Sequence, residues 1–143
     1  MNVDFVCRHI PLVMNNLYDN DCLNAITIQE IRDAFRSGQI ASKQWLFDCL
    51  SPYFKSDMKV VILGSWFGFT ALCLHSYKIC RITDVDIDPR TEYFAQRLNR
   101  QNVNYTRITS DANTINLKDY DLIINTSAEH MSDDWFKQLT TTQ

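Results

Sequence analysis

The chain has 143 residues, 45% hydrophobic and 22% charged, with a formal net charge of −3 at neutral pH. That suits one domain with a real core, and the slight acidity disfavours a surface built for nucleic acid. The longest apolar run, Val60 to Leu63, is far short of the ~20 residues of a membrane span. The start, Met1-Asn2-Val3-Asp4, lacks the basic and apolar regions of a secretion signal. Five cysteines (Cys7, Cys22, Cys49, Cys73 and Cys80) without C-x-x-C spacing predict reduced thiols and a cytoplasmic location. Cys7 and His9 have no further ligands at metal-binding spacing, so no metal is expected.

Residues 1–25 carry little periodicity, broken by Pro11 and by the polar stretch from Asn15 to Asp21. Thr27 reads as the N-cap of a helix through Ile28, Ile31 and Phe35, with Gly38 as its stop. Ser42 reads as the cap of a second helix, Lys43 to Leu50, with Trp45, Leu46, Cys49 and Leu50 as one apolar stripe. Ser51-Pro52 ends it, and Lys55-Ser56-Asp57 links it to the first strand. From there strand, turn and helix repeat. Strand one is Lys59 to Leu63, a continuous apolar run as expected where both sheet faces are covered. A helix runs from Gly68 to Tyr77, and strand two from Cys80 to Ile87. Asp88-Pro89 caps a helix to Asn102. Strand three is Asn104 to Thr109 and strand four Asp121 to Thr126; Ser132 caps a last helix. Such alternation implies a parallel sheet with right-handed crossovers: a Rossmann-like α/β fold (residues 58–143) behind a helical N-terminal extension (1–57), together one compact unit.

Gly64 and Gly68, two of only three glycines in the chain, fall in the turn after strand one. Glycine there lets backbone approach a ligand, and a helix N-terminus offers free N–H groups. Asp86 closes strand two, 22 positions after Gly64, where an ionised carboxylate can accept both hydroxyls of a ribose diol. Asp84 and Asp88 share its side-chain parity; Asp84 reads as part of a solvated acidic loop and Asp88 as a cap. Strand three ends at Ser110-Asp111-Ala112-Asn113, where Asp111 could accept from a purine amine. Past strand four come Asn125, Glu129 and His130, candidates for acid–base work or for capping the next helix. Arg90, Arg97, Arg100 and Arg107 read as a solvated helix face. The turn is G-x-x-x-G rather than the dinucleotide G-x-G-x-x-G, and neither a P-loop nor a G-x-S-x-G motif occurs.

Residues 58–136 resemble the cofactor half of class I S-adenosylmethionine-dependent methyltransferases, and the wording of their motifs resembles small phage and aquatic bacterial forms. The resemblance rests on Gly64 and Gly68, on Asp86 within Val85-Asp86-Ile87-Asp88-Pro89, on Asp111-Ala112, and on the strand from Asp121 to Ser127. It implies strand order 3-2-1-4 and S-adenosyl-L-methionine as cofactor. The implied cofactor residues are Gly64, Ser65, Trp66, Gly68, Asp86, Ile87, Asp111, Ala112 and Asn125. Asn125, Glu129 and His130 are the implied catalytic candidates. Trp66 replaces the central glycine of the family turn, and Ile62 stands where the family carries an acid. The family sheet continues for three strands beyond the fourth, so the resemblance implies a shortened sheet.

The function this predicts is methyl transfer to an unidentified acceptor. Two alternatives stand beside it: a cofactor- or nucleoside-binding module without transfer, and an oligomerising interaction protein. The apolar strand four, exposed as an edge, predicts a homo-oligomer built there.

Overall fold

The computed structural model describes residues 28–77 and 80–140. Thr27, Cys7, Cys22, His9 and the tail beyond Thr140 lie outside them. Four parallel strands, β1 (Lys59–Leu63), β2 (Arg81–Asp86), β3 (Tyr105–Thr109) and β4 (Leu122–Asn125), form one sheet in the order 3-2-1-4. Among the described residues five α-helices accompany them: α1 (Ile28–Ala34), α2 (Ser37–Leu50), α3 (Phe69–Tyr77), α4 (Glu92–Leu98) and α5 (Asp134–Thr140). The expected strand order and Rossmann-like layering are therefore present, each strand differing from expectation by no more than a residue at either end.

Side-chain alternation divides the core in two. Val60, Ile62, Ile82 and Ile124 face a cluster containing Ile31, Phe47, Phe69, Leu72, Phe94 and Leu98 from α1–α4. Val61, Leu63 and Val85 face the other way, against Leu117 and the half-buried Trp135 and Leu139 of α5. The four strand residues Val60–Leu63 are all fully buried, which explains their unbroken apolar run.

The first two helices differ from the sequence reading. α2 begins at Ser37, so Gly38 lies inside its first turn and Ser42 in its interior, where its Oγ donates to the Gln39 carbonyl (2.9 Å). The break falls instead at Arg36, whose backbone is extended (φ −61°, ψ 154°). Glycine costs a helix only about 0.5–1 kcal/mol, which burial of Phe47 outweighs. The apolar stripe is also shifted: Leu46 and Leu50 pack on the core, whereas Trp45 (68% exposed) and Cys49 face outward. α4 is shorter than expected, because Pro89–Thr91 forms a single 3-10 turn and the helix closes at Asn99. The Asp88 cap is present, its carboxylate accepting from the Arg90 N–H (3.0 Å). α5 starts at Asp134, and the Ser132 hydroxyl donates to the Asp134 carboxylate (3.1 Å).

Candidate functional site

Four loops leave the carboxyl ends of the strands and surround a cavity of about 650 Å³. In open parallel sheets this crevice is where ligands bind. The turn after β1 forms its floor. Gly64 (φ 66°), Trp66 (φ 54°) and Gly68 (φ 78°) all adopt left-handed backbone there. A Cβ on Gly64 would overlap the Ser127 side chain, and one on Gly68 would come within 2.7 Å of Asn99 Nδ2. Both glycines are thus demanded by backbone sign and by space. The Ser127 and Thr126 hydroxyls donate to the Gly64 carbonyl (2.8 and 3.0 Å), stitching the loop after β4 onto the turn.

Asp86 stands at the centre. Its Oδ2 accepts from the Trp66 N–H (2.7 Å) and its Oδ1 from the Asp88 N–H (2.9 Å). Each bond uses one acceptor site of an oxygen that has two, so the carboxylate is oriented and keeps acceptor capacity. Ile87 beside it is 69% exposed, an apolar surface at the cavity wall. Asp111 and Ala112 line the same cavity from the end of β3; the Asp111 carboxylate caps a turn through the Asn113 N–H (2.9 Å).

The remaining candidates separate. Asn125 is not among the lining residues: its Oδ1 accepts from the Ser127 N–H (2.9 Å) and its Nδ2 faces Met131 Sδ (3.3 Å). Glu129 and His130 do line the cavity but stand at its rim, their side chains 81% and 76% exposed and 3.3 Å apart.

Two sets of residues escaped the sequence reading. Gln39 and Lys43 of α2 reach the cavity, and the Lys43 ammonium donates to Gln39 Oε1 (2.8 Å) with the Phe69 ring 6.0 Å away. Burial holds the Lys43 pKa below the ordinary lysine range. No pattern marked Lys43, because α2 was expected to begin there. The second set is a buried polar cluster beneath the turn. Asp84, read as solvated, is fully buried, and Arg107, read as part of a solvated helix face, is a β3 residue whose side chain is fully buried. Register explains both corrections: Ile62, Asp84 and Arg107 are cross-strand neighbours in one row on the α3–α4 face. Arg107 Nη1 lies 3.2 Å from Asp84 Oδ2, to which the Tyr105 hydroxyl also donates (2.6 Å). Burial pushes the Asp84 carboxyl up, and the Arg107 guanidinium pulls it back. Burial, with the Asp84 charge, keeps Tyr105 a phenol.

No protein-family model and no curated protein matches the sequence. Solved structures do match. Geranyl diphosphate C-methyltransferase from Streptomyces coelicolor, solved with Mg²⁺, geranyl-S-thiolodiphosphate and S-adenosyl-L-homocysteine, superposes at a TM-score of 0.62 and 16% identity, covering 71% of this chain and 39% of that one. A candidate S-adenosylmethionine-dependent methyltransferase from Methanococcus maripaludis gives 0.65 and 16%, covering 83% and 57%. A candidate sarcosine dimethylglycine methyltransferase from Galdieria sulphuraria gives 0.56 and 22%, covering 61% and 36%. The chain therefore spans between about a third and three fifths of the length of these structures. The fold is the Rossmann-like fold of class I S-adenosylmethionine-dependent methyltransferases.

Proposed function

We propose that this chain binds S-adenosyl-L-methionine in the cavity above β1 and β2 and directs its methyl group to an acceptor. The observation that carries the reading is Asp86, fixed by two backbone N–H groups at the cavity wall directly beside the left-handed glycine turn. A diol presented there meets an oriented carboxylate with acceptor capacity to spare, the recognition a ribose requires. The donor set fits the rest of the cofactor. Ile87 and Ala112 offer apolar surface to a purine, with Asp111 at its amine edge. Lys43, a cation beside a neutral Gln39, suits the carboxylate of the methionine portion. Gly64, Ser65 and Trp66 form the bed beneath the ribose and methionine, while Gly68, which does not line the cavity, closes the turn against Asn99 and Ala95. In this reading residues 58–143 carry the cofactor, and the extension 1–57 walls the cavity through Ala34, Gln39 and Lys43.

The cofactor's sulfonium supplies an already activated methyl group. The protein's work is to align the acceptor and exclude water. Glu129 and His130 at the rim can take a proton from an acceptor that arrives protonated. Asn125 serves by shaping the loop after β4 rather than by touching ligand, since both ends of its amide are engaged within that loop.

A second reading, binding without transfer, is favoured by the same exposure of Glu129 and His130: nothing among the described residues shields an acceptor site at that rim. Calorimetric titration with S-adenosyl-L-homocysteine tests the binding that both readings share. Methyl release from labelled S-adenosyl-L-methionine across amine, hydroxyl and thiol acceptors separates them. No binding at millimolar ligand removes both. The exposed thiol of Cys49 supports a reducing, cytoplasmic setting.

A further inference from the structure

Trp66 is the anomaly of the cavity floor. A bulky residue at φ 54° is strained by about 1–3 kcal/mol and persists only where its surroundings over-determine it. Both polar groups of its backbone are held. The N–H donates to Asp86 (2.7 Å), and the carbonyl accepts from Arg107 Nη2 (2.8 Å). The same Nη2 donates to Thr91 Oγ1 (2.7 Å), in the turn that follows Asp88, while Nη1 donates to Ser65 Oγ (2.8 Å). One guanidinium thus ties together the two segments that flank Asp86: the turn after β1 and the connection after β2.

The pair with Asp84 does not explain this arrangement. A guanidinium and carboxylate optimised for each other share two parallel bonds. Here a single 3.2 Å approach joins them, and neither Arg107 Nε nor Asp84 Oδ1 has a hydrogen-bond partner. Nη2, the nitrogen that could have completed the fork, is spent on Trp66 and Thr91. A buried ion pair is also a poor way to stabilise a sheet, since apolar residues of similar volume commonly do as well or better. The orientation is that of a brace for the loops, with Asp84 and Tyr105 as its counter-charge and anchor.

We propose that Arg107, seated by Asp84, is a positioning residue: it fixes the Trp66 peptide in its left-handed turn and thereby aims the Asp86 carboxylate at the ligand. This rests on the reading of Asp86 as the diol-binding group, but its first consequence appears without ligand. Arg107→Met combined with Asp84→Leu removes both buried charges together, which keeps the sheet free of an orphaned ion. Arg107→Lys keeps the charge but replaces the planar fork with a point donor that cannot reach Ser65, Trp66 and Thr91 at once.

The test is amide hydrogen exchange by NMR in the ligand-free protein, with the Ile62 amide of β1 as internal reference, followed by titration with S-adenosyl-L-homocysteine. In both variants the Trp66 amide is expected to exchange about tenfold faster relative to Ile62, and the dissociation constant to rise about tenfold, the effect of one lost hydrogen bond. Unchanged Trp66 protection in either folded variant overturns the proposal, whatever happens to binding. Loosened Trp66 with unaltered affinity overturns the link to Asp86. If the unsubstituted protein fails to bind while the variants loosen Trp66, the brace stands and the cofactor reading falls.

Discussion

Asp84 and Asp86, both in β2, do different jobs, which substitution should separate. Asp86→Ala is expected to weaken S-adenosyl-L-homocysteine binding by about 1.5–3 kcal/mol, or roughly 10- to 100-fold. Asp84→Ala strands the buried Arg107 charge and is expected to destabilise the fold by about 3–5 kcal/mol in urea titration. Gly64→Ala must place a Cβ against Ser127 at φ 66°, so a loss of about 1–3 kcal/mol from backbone strain alone should appear in the same titration. Lys43 gives a pH signature. Its protonated form is the one that attracts a carboxylate, and burial lowers its pKa. Affinity for S-adenosyl-L-homocysteine should therefore begin to fall below the ordinary lysine range of about 10.4 as pH rises. Adenosine, which has no carboxylate, should show no such fall, and Lys43→Met should abolish the difference. Asp86 was legible in the sequence because it ends an apolar strand at a fixed distance from a glycine turn. Asp84 and Arg107 were not, because only cross-strand register reveals that they face each other.

At the scale of elements, β1 is the most legible because its composition admits one environment, burial on both faces. The early helices are the least legible, since capping residues compete with tertiary packing and lose. Gly38 shows the conflict: the sequence offers it as a stop, yet α2 runs through it to seat Phe47 at full burial. Its missing side chain serves no packing purpose, because nothing lies within 4 Å of where a Cβ would be. Gly38→Ala should accordingly raise stability by about 0.5–1 kcal/mol, read as a higher melting temperature with unchanged ligand affinity. A fall would mean that the junction at Arg36 needs glycine's freedom.

At the largest scale, β4 is an edge of the sheet among the described residues, and its four residues Leu122-Ile123-Ile124-Asn125 include neither lysine nor proline to discourage pairing. We propose that a second copy of the chain pairs along that edge. Light scattering at micromolar concentration should report a dimer that Ile123→Lys dissociates, and a monodisperse monomer would remove the idea. At the opposite flank, Arg90 bonds both Asp88, which caps the turn beside Asp86, and Glu30 of α1 (2.7 and 3.2 Å), with α1 and α2 supplying one wall of the cavity. That wall is thus clipped to the sheet by partly exposed charges rather than by apolar contact alone. Exposed ion pairs weaken as salt screens them. The consequence is a modest salt sensitivity: ligand affinity should weaken slightly with ionic strength as the Arg90 clip is screened, while Ile31 and Phe47, buried in the core, keep α1 and α2 seated.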